Sequence, residues 1–290
     1  MSNIGRENVK NTYFEWQKDV LAAAVTTNAQ LEGDDVASTS DARTATNRVA
    51  NYTQISRKLV ETSGTLEAVD KAGMRSYLAY ELAKASSELK RDMEATITSN
   101  NAAVAGNNTT ARQTAGFGSW LVTNVVKNGS TNPSMSSTND GYPQTARTLG
   151  TQITFTEAML KSCIQQVWTQ GGDPKVLMTG PFNKTVASAF GGIAQIRYNV
   201  GDVEPAAIIG AADVYLSDFG EVRIVPNRFQ PERQAYIIDP EYASIAYLRN
   251  FRTEVLAKTG DAEKRMIIVE YGLKVRTERS HGIIADLTTS

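Results

Sequence analysis

The chain has 290 residues, of which 41% are hydrophobic and 21% charged, and 30 Lys and Arg stand against 31 Asp and Glu for a formal net charge of −1. Such a composition excludes a disordered chain and supplies enough apolar residues for a large core. The near-neutral balance excludes a dedicated nucleic-acid binder, which carries a basic excess, but leaves room for weak contact through a local patch.

Residues 1–12 are polar and read as an arm, without the apolar centre of a signal peptide. Tyr13 to Leu21 mixes aromatic and β-branched residues in partial alternation and predicts a strand. The small, polar stretch VTTNAQLEGDDVASTSDARTAT (25–46) predicts a long exposed loop or the tip of a projecting hairpin. A second extended segment covers 48–64, where Asn51, Thr53, Ile55, Arg57 and Leu59 alternate with Tyr52, Gln54, Ser56 and Lys58. Neither face is cleanly apolar, as a strand buried within its own subunit requires. A hairpin that lies on a neighbouring subunit escapes that demand.

Leu66, Val69, Gly73, Tyr77, Leu78, Leu82, Ala85, Leu89, Met93 and Ile97 recur at spacings near three and four and predict one helix over 65–98. Ser63 or Thr65 can cap it, and at 1.5 Å per residue it would be roughly 50 Å long. Residues 99–152 are irregular and rich in Asn, Thr, Ser and Gly, with Phe117, Trp120 and Leu121 expected to pack. An amphipathic helix is predicted over 155–172, capped by Thr154 or Thr156 and closed by Gly171 and Gly172. A short strand at 174–180, a short helix at 181–192 opened by Pro181, and a hairpin over 213–227 turning at Asp218 to Gly220 follow. Residues 234–248 give a strand and then a second strand or short helix, and 264–287 give two strands around a polar turn at Glu278 to Ser280. Helices and strands mix without regular alternation, which predicts an α+β fold with no internal repeat.

The chemistry-bearing residues are few. One histidine, His281, and one cysteine, Cys163, exclude an intrachain disulfide and any His-rich or Cys-rich metal site within one chain. Cys163 sits within the apolar period of a helix and reads as a buried thiol, consistent with a reducing compartment. His281 reads as an ordinary histidine at a strand end, since a general base needs a positioned partner. No nucleophile elbow, phosphate loop or dinucleotide fingerprint occurs, and AGFGSW (115–120) reads as a backbone bend. Neither a catalytic residue, a cofactor nor a metal site is expected, and no run approaches the about 18 apolar residues of a membrane span.

Charge around the first extended segment is suggestive. Glu32, Asp34 and Asp35 cluster without the pattern of a calcium loop and read as a solvated tip. Arg43, Arg48, Arg57 and Lys58 flank the same segment. They read either as a solvated face or as partners for the acids at 32–35 and for Glu61, Glu67 or Asp70 of a neighbouring subunit.

The order of parts is a polar arm, a projecting hairpin, a long helix, an α+β lobe and closing strands. It resembles the Hong Kong phage capsid fold of tailed-bacteriophage major capsid, or major head, proteins. The resemblance rests on TYFEWQKDVLAAA, NAQLEGDDV, RVANYTQISRKLVETSGTLEAVDKAG running into ELAKASSELKRDMEATI, TFTEAMLKSCIQQVWTQGGDPKVLMTGPFNK, VYLSDFGEVRIVPNR and EYGLKVRTERSHGIIADL. It covers nearly the whole chain through the ordered set rather than through one motif. It implies a 1–12 arm, an extended loop at 13–62, a peripheral domain at 63–148 with the spine helix 65–98, an axial domain at 149–260 and return strands at 261–290. It further implies an icosahedral head shell of pentamers and hexamers around phage DNA, assembled in the host cytoplasm. Scaffold, portal and decoration proteins are the expected further partners. A bacterial nanocompartment shell enclosing an enzyme shares this anatomy, with cargo as the discriminator. An enzyme with an unrecognised site, or a tail-tube or decoration subunit, fits less well, the last two being β-dominated.

Overall fold

A computed structural model describes residues 4–29, 31–33, 46–70, 72–136, 141–190 and 213–290. Four strands come first: β1 (Gly5–Asn8), β2 (Tyr13–Lys18), β3 (Asn47–Tyr52) and β4 (Gln54–Ser63). Helices α1 (Gly64–Ala68), α2 (Tyr77–Ile97) and the single turn α3 (Phe117–Trp120) follow, then β5 (Val125–Val126), α4 (Glu157–Thr169), β6 (Val176–Thr179) and α5 (Pro181–Ser188). The chain closes with β7 (Val214–Ser217), β8 (Gly220–Pro226), β9 (Ala235–Ile238), β10 (Ala243–Val255), β11 (Ala262–Val275) and β12 (Gly282–Ile284). Strand order is β1-β10-β11-β4 in one sheet and β5-β12-β9-β6-β8-β7 in a second, with β2 and β3 paired as a separate ribbon.

Most expected elements are present. The Thr156 side chain caps α4 by accepting from the Met159 N–H, Pro181 opens α5, and the hairpin β7–β8 turns between Ser217 and Gly220. The single helix expected over 65–98 is instead two. The backbone leaves the helix at Val69 (ψ 156°), and Gly73 takes φ +76°, a left-handed conformation that other residues rarely adopt. Ser76 then restarts the helix by accepting from the Ala79 N–H at 3.2 Å. The spine is therefore α2 alone, 21 residues and about 32 Å long. Leu66 and Val69 prolonged the apolar period in the sequence, yet they are 39% and 51% exposed.

The extended segment over 48–64 also divides, at Thr53. Residues before it pair with β2, from Tyr13↔Tyr52 to Lys18↔Asn47. Residues after it pair with β11, from Tyr271↔Gln54 to Ala262↔Ser63. All three polar groups of Thr53 are used at this switch. Its N–H donates to the Thr12 carbonyl (2.8 Å), its carbonyl accepts from Arg112 Nε (2.7 Å), and its hydroxyl donates to Glu270 Oε1 (2.9 Å). Glu270 is itself buried and also receives Arg249 Nε at 2.7 Å and a guanidinium nitrogen of Arg112. Burial pushes its carboxyl upward, but the Thr53 hydroxyl and the Arg249 and Arg112 charges outweigh this and hold it below the ordinary value.

The boundaries expected at 62 and 260 do not follow the strand pairing. β4 belongs to the same sheet as β11, and β10 pairs with β11 and β1 rather than with the strands β5 to β9. β12, in the closing segment, crosses into the six-stranded sheet between β5 and β9. Strands β9 and β12 of that sheet are buried on both faces and read as continuous apolar runs for that reason. Tyr236, Ile238 and Ile283 face a core shared with α2, β10 and β11, while Ala235, Ile237 and Ile284 face a second core under α4. Leu89, Met93 and Ile97 of α2 project into the first core, and Leu160, Cys163, Ile164 and Val167 of α4 into the second.

The polar arm is held at the sheet edge. β1 pairs in parallel with β10, and the Glu7 carboxylate receives Lys274 Nζ at 2.6 Å, Arg276 at 2.7 Å and the Ser244 hydroxyl at 2.9 Å. Burial opposes ionisation of Glu7, but Arg276, Lys274 and Ser244 together lower its pKa to about 2.

Two outcomes are expected. Leu89→Ala, at a side chain 1% exposed, should destabilise the unassembled subunit by about 2–5 kcal/mol in urea denaturation. Because the folded pKa of Glu7 lies below its ordinary 4.5, its contribution is present above that pH and is lost as pH falls toward about 2. Hydrogen-exchange protection factors of residues 5–9, corrected for the intrinsic pH dependence of exchange, should fall across that window, and in Glu7→Gln they should be low throughout it.

Candidate assembly surfaces

The β2–β3 ribbon carries the extended segment, and its root is well packed. Phe14 is 5% exposed, and Trp16 lies 5.7 Å from Phe14 and 5.8 Å from Trp120 between ring centroids. Tyr13, Tyr52 and Tyr142 form an aromatic cluster at centroid distances of 4.9–6.3 Å. Beyond Lys18 the support ends. Val20, Leu21, Val25 and Leu31 are 42%, 96%, 68% and 78% exposed. Apolar side chains this close in sequence and this open are the physical mark of a contact surface.

The charged residues singled out in the sequence have different settings. Glu32 is exposed at the described end of the segment, while Asp34, Asp35 and Arg43 lie outside the described residues. Arg48 faces Glu15 across the ribbon at 3.6 Å, with side chains 73% and 39% exposed, a pair worth about 1 kcal/mol or less. Arg57 is exposed on β4 and forms no ion pair among the described residues. Lys58, one position on, points to the opposite side of the strand, where Asp92 of the same subunit's α2 takes its ammonium at 2.8 Å. Glu61 meets Lys264 at 3.2 Å and Glu67 accepts from the Tyr77 N–H at 3.2 Å, so both acids have partners within the subunit. The structure thus leaves Arg57 and Glu32 open and engages Arg48 and Lys58 internally.

Sequence reasoning missed the apolar residues of the projecting segment, although LAAAV (21–25) was visible as an apolar run leading into the polar loop. It also missed Glu7 and Glu270, whose partners lie far along the chain and leave no local pattern.

The two nucleophile or base candidates are both internal. Cys163 is fully buried against the helix–sheet core, and burial pushes its thiol up to about 12. His281 is fully buried, accepts from the Asp239 N–H through Nδ1 at 3.2 Å, and stacks edge-on to Phe117 at 5.1 Å. Burial lowers its pKa to about 4, against a smaller opposing pull from the Tyr242 backbone, so the ring is neutral at pH 7. Among the described residues no group of three or more His, Cys, Asp or Glu gathers as metal ligands. No described helix is long and apolar enough to cross a membrane.

Comparison with known proteins agrees with this geometry. The family described as SU10 major capsid protein matches residues 1–288. The major capsid protein of Escherichia phage Phieco32 is 28% identical over 315 aligned positions, which cover 98% of this chain and 88% of the relative. Among solved structures, a chain of the satellite phage P4 procapsid with its size determination protein superposes with a TM-score of 0.58 at 12% identity, covering 100% of this chain and 87% of the other. A chain of the holo-SrpI encapsulin complex from Synechococcus elongatus PCC 7942 superposes at 0.55 with 10% identity, covering 98% and 85%. These superpositions carry the fold, which is the α+β fold of Hong Kong phage-type capsids. The match over nearly its whole length carries the family: this chain belongs to the SU10 major capsid protein family, a structural component of the virion capsid.

Proposed function

We propose that the chain forms a closed icosahedral head shell of pentamers and hexamers that encloses phage DNA, assembled in the host cytoplasm, and that it catalyses no reaction. The carrying observation is the projecting segment after β2, where Leu21 is 96% and Val25 68% exposed beside a ribbon rooted in packed aromatics. An apolar strip held away from its own core gains burial only on another subunit, and closed symmetry repeats that gain at every contact. The region around α2 and the four-stranded sheet would serve as the peripheral part, and the six-stranded sheet with α4 and α5 as the axial part gathered around the symmetry centres. Arg57, together with Glu32, Asp34, Asp35 and Arg43, would add charge pairing between subunits. Scaffold, portal and decoration proteins are the further partners this role requires. The encapsulin likeness concerns fold at 10% identity, whereas the family match is to phage capsids, which favours DNA as the contents.

Purified subunits, alone or with a co-produced scaffold, should give closed shells in electron micrographs, and particles from infected cells should contain DNA. Monomers or open tubes under all conditions would overturn the shell reading, and an enclosed enzyme would replace DNA as the cargo. Leu21→Asp with Val25→Asp should lower the shell yield by at least about tenfold while leaving the far-ultraviolet circular dichroism of the subunit unchanged.

A further inference from the structure

Two neighbouring surface depressions share one lysine. The first, of about 570 Å³, lies between β1, α2 and β10 and is lined by Arg6, Lys90, Tyr247 and Phe251 among others. The second, of about 400 Å³, lies between α2 and the end of β8 and is lined by Lys90, Arg91, Arg228 and Phe229. Lys90 belongs to both, so the four cations form one strip across three separate parts of the chain. Arg6, Lys90, Arg91 and Arg228 are all exposed. None of the four forms an ion pair among the described residues.

The local charge is strongly one-sided. Two carboxylates lie in the strip. Glu94 accepts from the Asn227 amide at 3.0 Å, and Glu7 is already matched by both Lys274 and Arg276. With Glu7 matched outside the strip, four cations there face one acid, Glu94, in a chain whose overall charge is −1. Two other acids of α2 point elsewhere: Asp92 pairs with Lys58 of β4, and Glu88 acts on the same lysine. The helix thus turns Glu88 and Asp92 toward one sheet edge, and Lys90 and Arg91, with Glu94, toward the other side. The Arg91 guanidinium lies 5.3 Å from the centre of the Phe229 ring, a contact that orients the cation without neutralising it.

We propose that this strip binds the phosphodiester backbone of double-stranded nucleic acid without regard to sequence. The inference rests on the reading of the chain as a shell around DNA and names the surface that meets the contents. Duplex DNA presents one negative charge per about 1.7 Å of axis, and unpaired cations release its condensed counterions on contact. A single strip contributes little, but a shell presents it at every subunit. Four cations on a rigid helix, a sheet-edge arm and a strand end are pre-placed for a polyanion, and the strip offers no base-reading element.

The test uses the full-length subunit and a random-sequence 30-base-pair duplex, with binding followed by fluorescence anisotropy over a salt series. Lys90→Glu, Arg91→Glu and Arg228→Glu combined should weaken binding by at least about tenfold and reduce the slope of log affinity against log salt by roughly 0.9 for each phosphate no longer neutralised. Alanine at the same three positions should give a smaller change in the same direction, which guards against misfolding of the reversed variant. Lys161→Glu on α4, a charge change outside the strip, should leave binding as in the wild type. Unchanged affinity and slope in both triple variants would overturn the proposal. Loss of shell formation in the alanine variant would also overturn it, because the strip would then be covered by another polypeptide. The parent reading fails separately, if the wild-type chain never forms closed shells.

Discussion

The buried carboxylate of Glu270 sets the layout of the molecule. An ionised carboxylate removed from water is tolerated only when its oxygens are matched by donors and countercharges. Here the donors come from three remote places: Thr53 at the junction of two strands, Arg112 from the irregular section after α2, and Arg249 from β10. Satisfying one acid therefore joins the root of the projecting ribbon, the long loop section and the central strand pair. The ribbon can leave the body of the subunit at Thr53 because hydrogen bonds pin its exit point beside the packed aromatics of its root. The polar character of 48–64, which fits poorly with a self-contained strand, is the chemical requirement of that junction.

Two cores hang from this frame and share one sheet. The strands β9 and β12 alternate between them residue by residue, so movement of α4 and movement of α2 are both felt in the same short strands. Close-packed interiors transmit displacement instead of absorbing it. A subunit whose two lobes share a sheet behaves as one mechanical piece, which suits a component that takes load from its neighbours. The ion pairs on its surface matter differently. Arg48 with Glu15 contributes little to one subunit.

Much of this was legible in the amino-acid sequence, and the failures have definite physical causes. Helix α4, with Thr156 at its cap, and the β7–β8 hairpin carry strong local signals, and they lie where expected. The division of 65–98 was hidden because Leu66 and Val69 continue a helical period while Gly73 interrupts the backbone, and periodicity weighs side chains and not φ angles. The sheet partners were hidden because β4 and β12 each pair with strands remote in sequence. Of the charged residues around the ribbon, alternation put Arg57 and Lys58 on opposite sides of the strand but could not name Asp92 of α2 as the partner of Lys58. The basic strip at Lys90 was invisible, being assembled from residues 6, 90, 91 and 228 with a neutral total charge elsewhere to mask it.

The position of β4 has a consequence for the life of the unassembled subunit. It is the edge strand of its sheet, ten residues long, with one side paired to β11. A long open edge is a template on which another chain can add strand by strand, and such growth does not close. Arg57 and Lys58 in its middle and Glu61 toward its end place three charges along that edge. A second copy of the strand aligned against it would bring like charges together or strip their hydration. The edge is thereby protected from fibre-like growth while the subunit waits in solution, and association is left to surfaces whose geometry closes on itself.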